Sequence, residues 1–222
     1  MSRVFVSWSG GKDSSLACYR AIKSGLEVRC LANMVHEDGQ TSWSHGISAE
    51  MLRLQARGMG LPLVQTRTTA ADYEAEFVRM LSAFKKEGIT GGVFGDIDFN
   101  PHREWIERVC AKGGIAPHLP LWGEPQEEVL KDFIGAGFSS TVITTKADIL
   151  GGEWLGRLIN EEFLQELKGL ANITLCGEAG EYHTLVTDGP LFQKRLEIVQ
   201  SQRVLKDGYW FLEIGKADLR DK

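Results

Sequence analysis

Ser9-Gly10-Gly11-Lys12-Asp13-Ser14 follows closely on the short apolar run Val4-Phe5-Val6. The order predicts a strand that ends, a tight turn permitted by two glycines, and a helix that opens with Asp13 and Ser14, residue types favoured at helix starts. Such a turn aims several backbone N–H groups and the positive end of a helix at one spot, which suits a phosphate chain. Lys12 adds a cation. The stretch is not a Walker A loop, because Val6 stands where the first glycine of that motif belongs and Lys12 is followed by Asp13. A glycine-rich turn with no ligand is the plain alternative.

The surrounding chain bounds the answer. It has 222 residues, 43% hydrophobic and 25% charged, with a formal net charge of −5. This is ordinary for a globular protein of one large or two small domains. The acidic balance argues against a general nucleic-acid surface. The longest apolar runs fall well short of the roughly 20 residues that span a bilayer, so no membrane partner is expected. A core strand beginning near the N-terminus leaves no room for a secretory signal, which predicts a cytoplasmic protein. Cys18, Cys30, Cys110 and Cys176 form no C-x-x-C pair and no zinc spacing. Buried free thiols are expected.

Outward from the opening loop, strand and helix patterns alternate. Strands are expected at Val4–Ser7, Val28–Val35, Leu63–Thr66 and Gly91–Gly95. Helices are expected at Ser14–Ser24, Ser48–Met59, Ala70–Glu87 and Pro101–Lys112, with a polar loop over His36–Gly46. The alternation implies a parallel sheet covered on both faces, which binds ligands at the carboxyl ends of its strands. The six-residue loop lies at such an end. Pro117, Pro120 and Pro125 around Leu121-Trp122-Gly123 mark an exit, placing a first domain over 1–122 and a smaller one over 123–222. The second is read as helix Gln126–Gly135, strand Ser140–Thr145, helix Leu155–Leu170 and short strand Thr174–Cys176. Lys194–Ile214 follows as two strands joined at Lys206-Asp207-Gly208, a turn signal.

Several residues carry chemistry. Asp13 beside a triphosphate needs a cation between them, so it is a candidate Mg²⁺ ligand as well as a helix cap. Ser9, Ser14 and Ser15 offer hydroxyls, and Lys12 a charge, to phosphate. Gly177-Glu178-Ala179-Gly180-Glu181-Tyr182-His183-Thr184 concentrates carboxylates, an imidazole and a hydroxyl on what reads as a loop at a strand end. Glu178 and Glu181 are candidates for a second metal, an amine or general-base work, and His183 for proton transfer near neutral pH. A polar turn with a satisfied histidine is the bland alternative. Gly95 would let a ligand approach the backbone, Asp96 would stand near metal or ribose, and His45 would line the adenine side. Arg157 would contact phosphate or an anionic substrate, or form a surface ion pair.

Taken together, these residues resemble the diphthine–ammonia ligase family within the PP-loop, or N-type ATP pyrophosphatase, superfamily. The resemblance spans nearly the whole chain. It rests on Ser9–Ser14, Gly95-Asp96-Ile97, Pro120-Leu121-Trp122, Leu155-Gly156-Arg157 and Gly177–Thr184. It implies an α/β fold: a Rossmann-like HUP parallel-sheet nucleotide domain with a smaller C-terminal α/β substrate domain. It also implies an ATP-dependent, AMP- and pyrophosphate-forming ligase that adenylylates a carboxylate and transfers ammonia. Ser9, Gly10, Gly11, Lys12, Asp13 and Ser14 would grip ATP with Mg²⁺. Arg157, Glu178, Gly180, Glu181, Tyr182 and Thr184 would face the substrate. The partners would be ATP, ammonia and a carboxylate acceptor, either diphthine on elongation factor 2 or a small acid, with a homodimer left open. Family members acting on diphthine carry an acidic residue after the aromatic that follows the second Glu. Tyr182 is followed here by His183, as in bacterial-type members, where a corrinoid-related amidation is the alternative. In that setting His183 would supply a positive charge to select the acid. Missing cysteine pairs argue against the alternative of a sulfur-inserting, tRNA-modifying relative. Intact Lys12-Asp13-Ser14 and the second acidic motif argue against the alternative of a non-catalytic nucleotide-binding regulator of the same fold.

Overall fold

The computed structural model describes residues 1–44 and 46–222. The chain divides into two compact units: Met1–Ser9 with Asp13–Trp122, and Gly10–Lys12 with Gly123–Lys222. The first unit follows the alternation of its sequence. Its elements are β1 (Arg3–Ser7), α1 (Lys12–Lys23), β2 (Glu27–His36), α2 (Ala49–Met59), β3 (Leu63–Thr68), α3 (Tyr73–Lys86), β4 (Gly91–Val93), α4 (Asn100–Gly113) and β5 (Ala116–His118).

The strands form one parallel sheet in the order β3-β2-β1-β4-β5. β1 is central because it can afford no polar face: Val4, Phe5 and Val6 all have 0% exposure. Phe5 joins Cys30, Ala32 and Met34 of β2 against Phe77, Met80, Leu81 and Phe84 of α3 and Ile106, Val109 and Cys110 of α4. On the opposite pleat, the indole of Trp8 donates to Gln55 of α2 at 3.1 Å. The strand order reverses between β1 and β4, and ligands bind parallel sheets outside the strand ends at such a switch point. The six-residue loop leaves β1 there.

The second unit is built on an antiparallel sheet in the order β7-β6-β9-β8, from β6 (Ser139–Lys146), β7 (Tyr182–Asp188), β8 (Lys194–Lys206) and β9 (Tyr209–Asp221). Helices α5 (Gln126–Gly135) and α6 (Glu161–Lys168) complete it. The expected turn between the last strands is present, with Asp207 at φ 50° and Gly208 at φ 81°, the left-handed pair a tight hairpin demands. The paired strands run on to Asp221, past the expected end at Ile214.

Three expectations are corrected. The long helix over Leu155–Leu170 is instead α6 alone. Before it, a 3-10 turn at Gly152–Trp154 leads into backbone that bonds along β6: Gly156 N–H to Val142, Val142 N–H to Arg157 and Ile159 N–H to Ser140. Asn160 then caps α6, its side chain accepting from Phe163 N–H at 2.9 Å. Thr174–Cys176 is a turn rather than a strand, because the segment is bonded within itself, Gly177 N–H to the Thr174 carbonyl. Two strands went unread. β5 is three residues long and holds Pro117, which an edge strand tolerates. β7 begins at Tyr182, inside the stretch read as a loop. No helix among the described residues is long and apolar enough to cross a membrane.

Candidate active site

In the first unit the loop enters α1 through its serines and Asp13. The Ser9 and Ser14 hydroxyls lie 3.1 Å apart. Asp13 is half-buried in the first turn of α1, where an anion is favoured. Ser15 is fully buried in the first turns of α1. Gly95 lies just beyond β4, and a Cβ built there would stand 2.8 Å from both the Asp13 carbonyl carbon and the Ser14 nitrogen. The close approach expected at Gly95 is therefore made by the chain's own α1 backbone. Asp96 meets the Nδ1 of His102 at 3.1 Å, an exposed pairing at the foot of α4. The expectation placed on His45 lies outside the described residues.

In the second unit, Gly10–Lys12 is tied to β7. Gly10, at φ 81°, presents its carbonyl to the N–H of Val186 at 3.0 Å. The N–H of Lys12 donates to Thr184 Oγ1 at 3.0 Å. β7 is the terminal strand of its sheet, and the glycine loop satisfies part of that open edge. The Lys12 side chain is 4% exposed. Its Nζ donates to the Cys176 carbonyl and lies 5.2 Å from the ring centre of Tyr182. Sequence reading placed Lys12 on phosphate and missed these anchors.

The second motif turns largely inward. Glu181 is 1% exposed. Its carboxylate accepts from Thr174 N–H at 2.6 Å, Thr174 Oγ1 at 2.8 Å and Ala179 N–H at 3.0 Å. It staples the turn that carries Cys176. Tyr182 is buried, donates its hydroxyl to the Leu175 carbonyl at 2.6 Å and packs edge-on to Phe163. Glu178 and Gly180 are the half-buried members on the turn itself. Arg157 is held bidentately by Glu166 at 2.5 and 2.6 Å and lies over Trp154 at 4.4 Å. Of its two readings, the ion pair is the one formed.

His183 corrects an electrostatic expectation. Burial, and then the nearby positive charge of Lys12, push its pKa down to about 4, with Glu181 opposing. At neutral pH the ring is uncharged, so it neither supplies the expected positive charge nor titrates near pH 7. Burial also pushes the Cys18 thiol up to about 12, and Cys18, Cys30, Cys110 and Cys176 are all buried and form no disulfide. No group of three or more His, Cys, Asp or Glu among the described residues is arranged to hold a metal. A carboxylate at a helix start, as Asp13 is, would suit Mg²⁺ held largely by phosphate oxygens rather than an all-protein cage.

Residues 2–117 match the family described as the diphthamide synthase N-terminal domain, and residues 125–220 match the diphthamide synthase C-terminal domain. The rat protein named diphthine–ammonia ligase is 29% identical over 239 residues, covering 96% of this chain and 89% of its own. The human protein of the same name is 28% identical, covering 96% and 89%. A solved chain described as a predicted subunit of tRNA methyltransferase from Methanocaldococcus jannaschii is 18% identical. It covers 86% of this chain and 98% of its own at a TM-score of 0.47. With the N-terminal match taking in the glycine loop and the C-terminal match taking in the stapled turn and β7, this chain belongs to the diphthamide synthase family.

Proposed function

We propose that this chain is an ATP-dependent carboxylate–ammonia ligase that forms AMP and pyrophosphate. One observation carries the reading: the Gly10–Lys12 loop, which follows the central strand in the chain, is bonded to β7, the strand on which the second motif ends. Two sequence signals far apart in the chain thus form one construction. A carboxylate oxygen of the acceptor attacks the α-phosphorus, and pyrophosphate leaves with its electron pair. Ammonia then attacks the acyl carbon, loses a proton and expels AMP. The α1 N-terminus, Ser9 and Ser14 would receive phosphate oxygens, and Asp13 would hold Mg²⁺, which shields the phosphate charge. The first domain, 1–122, would supply the nucleotide side and the second, 123–222, the acceptor side, in the cytoplasm. Glu178, half-buried on the turn, is the motif carboxylate best placed to meet ammonia or acceptor.

For the acceptor we take the carboxylate of diphthine, the substrate class in the names of the rat and human relatives. The smaller-acid reading rests on His183 standing where an acidic residue is expected. The test is transfer of ¹⁵N from labelled ammonium into the acceptor in the presence of ATP and Mg²⁺, run with diphthine-bearing elongation factor 2 and with a bacterial small-molecule extract. Label in the factor supports the diphthine reading, and label only in an extract component moves the acceptor to a small acid. Absence of label in both contradicts ammonia transfer.

A further inference from the structure

The second motif would be expected to face the acceptor, yet two of its members are spent on the glycine loop. Thr184 gives its hydroxyl to the first N–H of α1, and Val186, two residues on along the same strand, gives its N–H to Gly10. Tyr182 offers its ring face to the Lys12 ammonium. Tyr182, Thr184 and Val186 alternate along β7, so one short run of one strand holds Gly10 through its carbonyl and Lys12 through both its N–H and its ammonium. Thr184 is 2% exposed, which leaves its hydroxyl almost no surface to offer an acceptor. Glu181, equally closed, acts a step further back by fixing the turn whose Cys176 carbonyl holds Lys12 Nζ.

We infer that Thr184 is a positioning residue for nucleotide binding rather than an acceptor-binding residue: its hydroxyl sets the Gly10–Lys12 backbone in the conformation that receives phosphate. The inference rests on the nucleotide reading given above. A glycine-rich backbone has many conformations to lose on binding, and a fixed partner for Lys12 N–H removes that cost before the ligand arrives. Loss of one such hydrogen bond is worth roughly threefold to tenfold in an equilibrium constant.

The experiment compares Thr184→Val, which keeps shape and removes the acceptor oxygen, with Thr184→Ser, which keeps the oxygen. Two readouts are taken on the full chain: the Kd for MgATP, and hydrogen exchange of the Gly10–Lys12 amides without ligand. Expected are a Kd weakened roughly threefold to tenfold and faster loop exchange in T184V, both restored in T184S, with the acceptor KM unmoved. An unchanged Kd and unchanged exchange in T184V, or a rise confined to the acceptor KM, overturns the inference. If the wild-type chain binds no MgATP, the nucleotide reading fails, and exchange alone decides whether Thr184 sets the loop. If T184V does not fold, Thr184→Ala carries the same comparison.

Discussion

The N–H of Lys12 donates to the hydroxyl of Thr184 at 3.0 Å across 172 positions of sequence. That bond makes the glycine loop and the C-terminal motif one physical object. It also sets apart the motif members that hold the fold, and the predictions start from them.

Glu181 is a holding residue. Its carboxylate carries three hydrogen bonds inside the fold. Glu181→Ala leaves the Thr174 and Ala179 donors without their partner and is expected to lower stability by about 2–4 kcal/mol. Glu181→Gln, which retains one acceptor oxygen, is expected to cost about half as much. Urea unfolding measures both. Wild-type stability in Glu181→Ala would show that the carboxylate is not a staple.

Within the first unit, Gly95 packs against the first turn of α1. An added methyl would sit 2.8 Å from the backbone of Asp13 and Ser14, and a backbone neighbour cannot swing away. Gly95→Ala is therefore expected to displace the first turn of α1, costing about 1–3 kcal/mol and weakening MgATP binding more than it weakens acceptor binding. Calorimetry of the variant with MgATP checks this. Unaltered nucleotide affinity would mean that the first turn does not receive phosphate.

The pH dependence has a definite sign. His183 titrates at about 4 when folded and near its ordinary value of about 6.5 when unfolded. Between those values the unfolded chain binds the extra proton, so stability falls as pH drops from about 6.5 to 4 and this contribution levels off below. His183→Asn is expected to flatten the slope within that window. Proton NMR of the His183 ring should show no titration between pH 6 and 8. An inflection near 6.5 would contradict a desolvated ring within reach of the Lys12 charge.

Arg157 is predicted to be structural. Its fork is filled by Glu166 and its plane covers Trp154. Arg157→Lys keeps the charge but loses the bidentate geometry, and is expected to lower stability by about 0.5–1 kcal/mol while leaving acceptor KM within twofold. A large rise in acceptor KM with an unchanged melting temperature would reinstate it as a substrate contact.

The parallel sheet and its loop were legible because the signals are local: an apolar run, paired glycines and helix-starting residues at a fixed spacing. The hairpin at Asp207-Gly208 was legible for the same reason. What escaped depends on distant partners. Nothing near Glu181 says that its carboxylate folds back on Thr174, and nothing near Lys12 says that Thr184 and Cys176 will claim it. Chemistry-bearing residues hid the alternation of Tyr182, Thr184 and Val186, so a strand read as a loop. Pro117 hid β5, since proline argues against a strand unless the strand is at an edge. Asn160 and Gly156 carried a usable signal, a cap and a left-handed glycine, that would have shortened the helix expected over Leu155–Leu170.

The central claim is that the loop splits ATP between its α- and β-phosphorus on behalf of a carboxylate. The most direct measurement is phosphorus NMR of ATP, Mg²⁺, ammonium and diphthine-bearing elongation factor 2 incubated with the wild-type chain and with Asp13→Ala. The account predicts AMP and pyrophosphate in equal amounts from the wild type, dependent on the factor, and at least a hundredfold less from Asp13→Ala, roughly the loss expected when a charge-stabilising group is removed. ADP and inorganic phosphate as products, or equal turnover by Asp13→Ala, would contradict it.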